Sequence, residues 1–330
     1  MKYAARRAVH ALFLLFGISV LSFLFSAAVP GDYFSDLQLD SRVSPDTIAG
    51  LRTLYGLDRP LPARYGAWLA SAARGEFGYS LTYHGPVGPL LGQRIKATLL
   101  LTGVATLLAW LVAVPVGIWN ATHRGTWRDS ALRLVLALML SIPDLLLAFG
   151  LLVLAVETGW FPVGGMRSVG AEEMGAGAQV WDVARHLVLP VAVLAMGMLP
   201  VLIRHIRAGM SEAMEAPFAV SARAQGIPRR RLLYRHLLPA ALNPLISLFG
   251  FSLGTLLSAS LLIEVVMGWP GLGPLFLEAI LARDFGVVLG VILISATFLV
   301  MGNLAADLML YWADPRIRAG GPGTAAGGQG

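Results

Sequence analysis

The sequence of 330 residues contains no cysteine, and only 13% of its residues are charged. Without thiols, the chain can form no disulfide, iron–sulfur cluster or thiolate metal site. A soluble domain carries about 25% charged residues, so the scarcity of charge points to long segments in lipid. The six histidines are scattered along the chain, and no metal site is predicted.

Motifs that would assign a catalytic function are also missing. The chain has no glycine-rich nucleotide loop of the GxxxxGK[ST] type, so it is not predicted to hydrolyse ATP by itself. No cluster of His, Asp and Glu and no Ser–Lys pair converge at one depth, which argues against a membrane-embedded enzyme. The net charge of +6 comes with no nucleic-acid motif, so nucleic acid is not a predicted partner.

The remaining sequence is strongly hydrophobic, with 56% apolar residues. Six segments have the roughly 17–25 residues that a helix needs to cross a bilayer. They are residues 8–29, 97–121, 134–156, 187–203, 236–263 and 285–306. Five of them lack Asp, Glu, Lys and Arg altogether, and the third contains one such residue, Asp144. The predicted fold class is an all-α membrane protein with six transmembrane helices.

Basic residues set the predicted orientation. With both termini in the cytoplasm, the inner segments hold 15 of the 25 Lys and Arg residues, as the positive-inside rule requires. The first apolar segment exceeds the roughly 7–15 residues typical of a signal peptide, so it is predicted to be an uncleaved anchor.

The predicted organisation has four parts and one inner connector. The parts are the N-terminus with the first transmembrane helix at 1–29, a small external helical segment at 30–93, a five-helix core at 94–318 and a disordered tail at 319–330. Ser44 is predicted to cap the first external helix. Residues 120–133 are predicted to be a plain basic connector.

The most distinctive stretch is residues 204–239, RHIRAGMSEAMEAPFAVSARAQGIPRRRLLYRHLLP. Pro217 begins a predicted short helix, Gly226 ends it in a left-handed conformation, and Pro228 begins a second, arginine-rich helix. A structured basic loop of this kind either docks a soluble partner or lies on anionic lipid as an interfacial helix. The residues alone leave both interpretations open.

This loop resembles the cytoplasmic signature of bacterial ABC importer permeases, which reads Glu-Ala-Ala, three residues, Gly, nine residues and Ile-x-Leu-Pro. Four residues match in register: Ala222, Gly226, Leu238 and Pro239. Val220 and His236 are among the positions that depart from the signature. Residues 221–226, SARAQG, are closer to the Thr-Ala-Arg-Ala-x-Gly of the dipeptide, oligopeptide and nickel branch. That branch is usually acidic where this chain has Pro217, which leaves the start of the coupling helix open.

The resemblance to this branch extends over nearly the whole chain. Five further stretches are similar to it: GLDRPLP at 56–62, RGEFGYSL at 74–81, GWFPVGG at 159–165, GWPGLG at 268–273 and DPRIR at 314–318. The count of six spans and the segment after the first span are similar as well.

The resemblance implies an importer-type permease bundle in the bacterial inner membrane, with this chain forming half of the pathway for peptides or related small solutes. It implies four kinds of partner: a second permease subunit expected to be a different chain, two cytoplasmic ATPase subunits that hold ATP and Mg, an external solute-binding protein and the lipid bilayer. No cofactor is implied in this chain. The implied ATPase-coupling residues are Phe218, Ser221, Ala222, Arg223, Ala224, Gly226, Ile227 and Pro228.

Polar and small residues within the apolar segments are the candidates for the pathway. The predicted pathway residues are Asp144, Ser247, Thr255 and Ser258. Asp144 would either meet an amine or another cation in the pathway, lie hydrated or protonated nearer the outer end of its span, or pair with a partner subunit. The three hydroxyl residues would either bond a peptide backbone or serve helix packing. Gly250 and Gly254 have the GxxxG spacing of a helix-packing site, which makes the fifth span the predicted permease–permease interface and pathway wall. Glu264 is expected to bond the backbone of the loop that follows it.

A self-contained secondary transporter is the alternative function. It would need coupling-ion sites and commonly an internal repeat, whereas this sequence offers one isolated Asp144 and no visible repeat. Dipeptides, oligopeptides, nickel complexes and glutathione are substrates that the sequence does not distinguish.

Overall fold

The computed structural model describes residues 2–31, 34, 44–54, 56 and 58–313; the side chains of 2–5, 51, 54, 229, 242–244, 247, 251, 253 and 255 lie outside this description. The described chain is almost entirely helical. Its helices are α1 Lys2–Ala28, α2 Pro45–Leu54, α3 Leu61–Ala72, α4 Val87–Thr122, α5 Trp127–Ser141, α6 Asp144–Thr158, α7 Ala176–Glu215, α8 Pro217–Ala224, α9 Arg229–Leu232, α10 Leu238–Val266, α11 Leu272–Leu281 and α12 Phe285–Ala313. A 3₁₀ turn at Ala171–Glu173 precedes α7, and a π-helical turn at Leu233–Leu237 joins α9 to α10.

Four helices, α1, α4, α7 and α12, are long and apolar enough to cross a membrane. A fifth candidate is the pair α5 and α6, which are bent by 91° at their junction. Helix α10 is also long, with 29 residues of mostly apolar sequence. The described residues therefore form an all-helical bundle with four to five clear candidate spans.

The third predicted span, 134–156, is two helices and not one. Helix α5 ends at Ser141 and α6 begins at Asp144, with Ile142 in an extended conformation between them. Pro143 causes the break, because it has no N–H for a helical hydrogen bond and disfavours helical backbone at the residue before it. The long apolar run led to the prediction of one span. The Ile142-Pro143 pair within it is the sequence signal that would have predicted the break.

The segment from 30 to 93 contains two short helices and one small hairpin. The Ser44 cap is confirmed, since the Thr47 N–H donates to the Ser44 hydroxyl at 3.2 Å. The hairpin was not predicted: strands β1 Tyr79–Ser80 and β2 Gly85–Pro86 pair antiparallel. Ser80 donates from its hydroxyl to Asp284 Oδ2 at 2.6 Å, so a residue 204 positions away anchors the hairpin.

The hairpin has a second tether at its tip. The Tyr83 hydroxyl donates to Glu278 of α11. Burial, and next this hydrogen bond, raise the pKa of Tyr83 to about 12. The hairpin thus joins the segment between α3 and α4 to the turn between α11 and α12.

Small residues allow the long helices to approach each other closely. A Cβ on Gly117 of α4 would lie 2.6 Å from the Ile206 side chain of α7. Gly250 of α10 faces Ala306 of α12 in the same way, and a Cβ on Gly254 would overlap Leu299 of α12. The sequence placed the two α10 glycines at the interface with a second permease, whereas here their close neighbours belong to the same chain. Their positions explain the GxxxG spacing by packing within the chain.

Glu264 anchors the loop between α10 and α11, as the sequence suggested. Its buried carboxylate accepts a hydrogen bond from the Gly273 N–H at 2.7 Å. Beside it, the Leu272 N–H donates to the Thr98 hydroxyl at 2.8 Å, and the buried Trp269 indole donates to the Ala97 carbonyl at 2.9 Å. These bonds fasten the loop to the amino-terminal half of α4.

Replacing Gly273 with alanine is expected to lower the thermal unfolding midpoint of the purified protein. The new Cβ would lie 2.1 Å from the Leu261 carbonyl oxygen and 2.8 Å from its carbon, and backbone atoms cannot turn aside. Overpacking of this kind costs about 1–3 kcal/mol. The matched control is Gly177→Ala in α7, where nothing lies within 4 Å and alanine suits the helix. Equal midpoints for the two variants would contradict the packing described.

Candidate functional site

The loop predicted to couple to a partner is a short helix held between two long ones. Helix α7 runs to Glu215, α8 occupies Pro217–Ala224, and the basic segment from Arg229 continues through the π turn into α10. Gly226 has φ +72°, the left-handed conformation predicted for it. The predicted coupling helix is α8, which begins at Pro217 with Ala216 extended before it. The open question of its start is thereby resolved.

Helix α8 ends in a motif that fixes its last turn. The Gly226 N–H donates to the Arg223 carbonyl at 3.0 Å, and the Ile227 N–H donates to the Ala222 carbonyl at 3.2 Å. This pair of bonds is the Schellman motif, which needs a left-handed residue at the position of Gly226. Arg223 adds a further tie, since its guanidinium donates to the Met214 carbonyl of α7 at 2.8 Å.

One face of α8 is buried in the bundle. Ala219 is fully buried and Ala222 nearly so, and both belong to one apolar cluster with Ile206 and Met210 of α7. Leu237, at the start of α10, lies in the same cluster. The cluster therefore joins α8 to the two long helices that flank it in sequence.

The opposite face of α8 is exposed. Phe218 is 44% exposed and Val220 is 56% exposed, so two large apolar side chains lie on the surface of this short helix. Of the predicted coupling residues, those that are exposed are Phe218, Ser221, Arg223, Ala224, Gly226 and Pro228. Ala222 and Ile227 instead pack against the apolar cluster.

An ion-pair cluster between α5 and α7 was missed by the sequence reasoning. Asp129, in the first turn of α5, is only 1% exposed. Its Oδ2 atom accepts from Arg207 Nη2 of α7 at 3.0 Å and from the Gly125 N–H at 3.1 Å, and Arg133 lies 3.7 Å away. The segment 120–133 comprises the turn between α4 and α5 and the first two turns of α5. It is bound to α7 and is not a plain connector.

A local signal could have indicated part of this cluster. Thr126 caps α5 by accepting from the Asp129 N–H at 3.4 Å, so the Thr-x-x-Asp spacing marks the helix start. The partner Arg207 lies 78 residues further along the chain, and no local pattern reveals it.

A cavity of about 270 Å³ lies between α6, α7 and α10. Its lining combines one carboxylate with mostly apolar side chains: Asp144, Leu194, Gly197, Met198, Val201, Leu202, Leu248, Ser252, Leu256 and Ala259. Of the predicted pathway residues, Asp144 lines the cavity, and Ser258 is exposed on α10 outside its lining. The side chains of Ser247 and Thr255 lie outside the described residues. Ser252, which the sequence reasoning did not select, is part of the wall.

Among the residues that the structure describes, no group of three or more His, Asp or Glu side chains is arranged to hold a metal ion.

Comparison with known proteins matches nearly the whole chain to components of one kind of transport system. Residues 113–319 match the family described as the binding-protein-dependent transport system inner membrane component, and residues 1–102 match the N-terminal family of the same system. The oligopeptide transport system permease protein AppB of Bacillus subtilis is 35% identical over 96% of this chain and 98% of its own length. The probable D,D-dipeptide transport system permease protein DdpB of Escherichia coli is 33% identical over 92% of this chain and 94% of its own.

A solved structure shares the fold. A chain of the inward-facing MetNI methionine ABC transporter superposes with a TM-score of 0.51 at 20% identity. The match covers 68% of this chain and 96% of that chain.

Proposed function

This chain belongs to the inner membrane components of binding-protein-dependent transport systems, as an ABC importer permease of the peptide branch, and on that premise we propose that it forms half of a translocation pathway for peptides. It is a membrane-embedded, non-catalytic subunit of an ATP-driven importer. Proteins of this family work with ATPase subunits and a substrate-binding protein. Peptides are the proposed substrates because the similar permeases are named for oligopeptides, dipeptides and tripeptides.

The proposed topology has six passes with both termini in the cytoplasm. The passes are α1, α4, the bent pair α5 and α6, α7, α10 and α12. Two features support this count: α10 is 29 residues long, and the basic residues concentrate on the proposed inner side. Helix α11 then lies on the outer side, between the last two passes.

The proposed complex contains this chain, a second and different permease, two ATPase subunits that bind ATP and Mg, and an external binding protein. This chain needs no cofactor of its own in that arrangement. Its contact with an ATPase is the exposed face of α8.

The observation that carries the proposal is the two-sided character of α8. Its outer face presents Phe218 to solvent, while its inner face buries Ala219 and Ala222 in the cluster shared with α7 and α10. A push on the exposed face is therefore transmitted to α7 and α10, two of the three helices that line the cavity. When ATP binding draws the ATPases together, the two coupling helices move with them and the pathway changes the side to which it opens.

The proposal is tested by purifying the tagged chain from its native membranes in mild detergent and identifying the associated proteins by mass spectrometry. A second permease and ATPase subunits are expected with the wild type. Gly226→Val is expected to lose the ATPases, because a β-branched residue is strained at φ +72° and α8 would be displaced.

The matched control for this experiment is Gly170→Val. Gly170 has φ +79° with open space around it, so valine is equally strained there, but the residue lies far along the chain from α8. Retention of the ATPases by the control locates the effect in the coupling loop. Recovery of the chain alone, with uptake driven by an ion gradient, would show that the protein is a secondary transporter.

A further inference from the structure

The cavity between α6, α7 and α10 lies at the middle of the bundle. Helix α7 has 40 residues, and the five that line the cavity lie between Leu194 and Leu202, near its midpoint. Helix α10 contributes residues between Leu248 and Ala259, which are also central in its 29-residue length. Both helices therefore place the cavity far from either end, at the depth of the hydrocarbon core.

Asp144 is the one ionisable side chain in this lining. It begins α6 directly after the break at Pro143. Gly197 makes room for it, because a Cβ at that position would lie 2.7 Å from Asp144 Oδ1. Among the described residues, no hydrogen bond or ion pair involves the Asp144 carboxylate.

The position of Asp144 at a helix start does not account for its presence. A carboxylate in the first turn of a helix gains about 0.3–1 kcal/mol from the helix dipole. Placing a carboxylate at the centre of a membrane helix costs about 2.5–3.5 kcal/mol on insertion scales. The cost exceeds the gain, and intramembrane carboxylates retained at such a cost mark ligand or ion pathways.

We infer that Asp144 binds the ammonium group of the amino-terminal residue of a peptide on its way through the pathway. This inference rests on the proposed function. The single carboxylate can pair with one cationic group of the ligand. The apolar wall formed by Leu194, Met198 and Leu256 suits the side chain of the same amino-terminal residue. Whole-ligand pockets measure about 300–1,000 Å³, so a cavity of about 270 Å³ holds one residue of a peptide and not all of it.

The test measures binding directly, on the purified complex and without the binding protein. The probe is leucinamide, which has the ammonium, the apolar side chain and the amide of an amino-terminal residue. Its neutral counterpart is N-acetyl-leucinamide. At about pH 6.5, below the α-amino pKa of about 8, leucinamide is a cation. A ligand that binds the folded protein raises its thermal unfolding midpoint as its concentration rises.

Leucinamide is expected to raise the midpoint of the wild-type complex, with N-acetyl-leucinamide binding about tenfold more weakly, the effect of one charge-assisted hydrogen bond. Asp144→Asn is expected to bind both probes equally weakly, and Asp144→Glu to keep the preference for the amine. The matched control is Glu157→Gln, which removes an exposed carboxylate from the other end of the same helix and should behave as wild type.

Three results would overturn the inference. They are no shift with leucinamide in the wild type, equal shifts with the two probes, or an unchanged preference in Asp144→Asn. Stronger binding of Nα-acetyl-lysinamide than of leucinamide would overturn the assignment to an amino terminus, because that probe carries its ammonium on a side chain. Each of these results leaves the co-purification of ATPases untouched, so failure here is distinguishable from failure of the proposed function.

Discussion

Phe218→Asp is expected to reduce ATP-driven peptide uptake by about 100-fold, while the permease itself remains folded. Phe218 is 44% exposed on the proposed ATPase-facing side of α8, so its removal costs this chain little packing. Loss of an aromatic side chain at the centre of an interface costs about 2–4 kcal/mol of binding, and an unpaired carboxylate there adds to the cost. Uptake into reconstituted vesicles and the ATPase content of the purified complex are the two measurements.

The matched control is Trp127→Asp. Trp127 is an even more exposed aromatic residue, at 76%, and it lies at the start of α5 on the same side of the bundle. An aspartate is favourable in the first turn of a helix, so this variant should fold and transport normally. If both variants lost the ATPases to the same degree, α8 would not be the specific contact.

Arg207→Leu is expected to destabilise the protein by roughly 3 kcal/mol, because it leaves Asp129 buried without its nearest cation. Asp129 is 1% exposed and accepts from Arg207 at 3.0 Å, while Arg133 is further away at 3.7 Å. The thermal unfolding midpoint in detergent should fall by several degrees. Since the pair joins α5 to α7, the helix that leads into α8, the rate of uptake should fall as well.

Two comparisons separate the ion pair from a general effect of losing arginine. Arg204→Leu removes an exposed arginine one turn earlier in α7 and should leave the midpoint nearly unchanged. The double variant Asp129→Asn with Arg207→Leu should be more stable than Arg207→Leu alone, because no unpaired charge remains buried. If the double variant were less stable than Arg207→Leu alone, the Asp129 carboxylate would be stabilised by groups other than Arg207, which would contradict this account.

The features that the sequence predicted are those encoded within one or two helical turns. Apolar runs located the long helices, and the Pro–Gly–Pro punctuation at 217, 226 and 228 located α8 and the helix after it. Ser44 was recognised as a cap for the same reason, since its partner Thr47 lies three residues away. Local hydrogen bonds and local backbone preferences are sufficient for such features.

The features that the sequence did not predict depend on distant partners. Strands of two residues have almost no propensity signal, and the hairpin is held by Asp284 from the far end of the chain. Asp129 looked like one charge in a basic connector until the fold placed Arg207 against it. Helix α11 was not predicted, because glycine and proline at its start obscure the ten-residue helix. The cavity likewise arises only when three separated segments converge on Asp144.

The peripheral position of α1 bears on how this transporter has diversified. Helix α1 packs on α12 and, through Phe23 and Tyr65, on α3, while large side chains such as Phe13, at 74% exposed, face outward. The two families matched by the chain meet within α4, one ending at residue 102 and the other beginning at 113. A helix at the periphery of the bundle can be gained, lost or altered in evolution without a change in the central packing of α4, α7 and α10. The segment before α4 can therefore change while the packing of α4, α7 and α10 is kept.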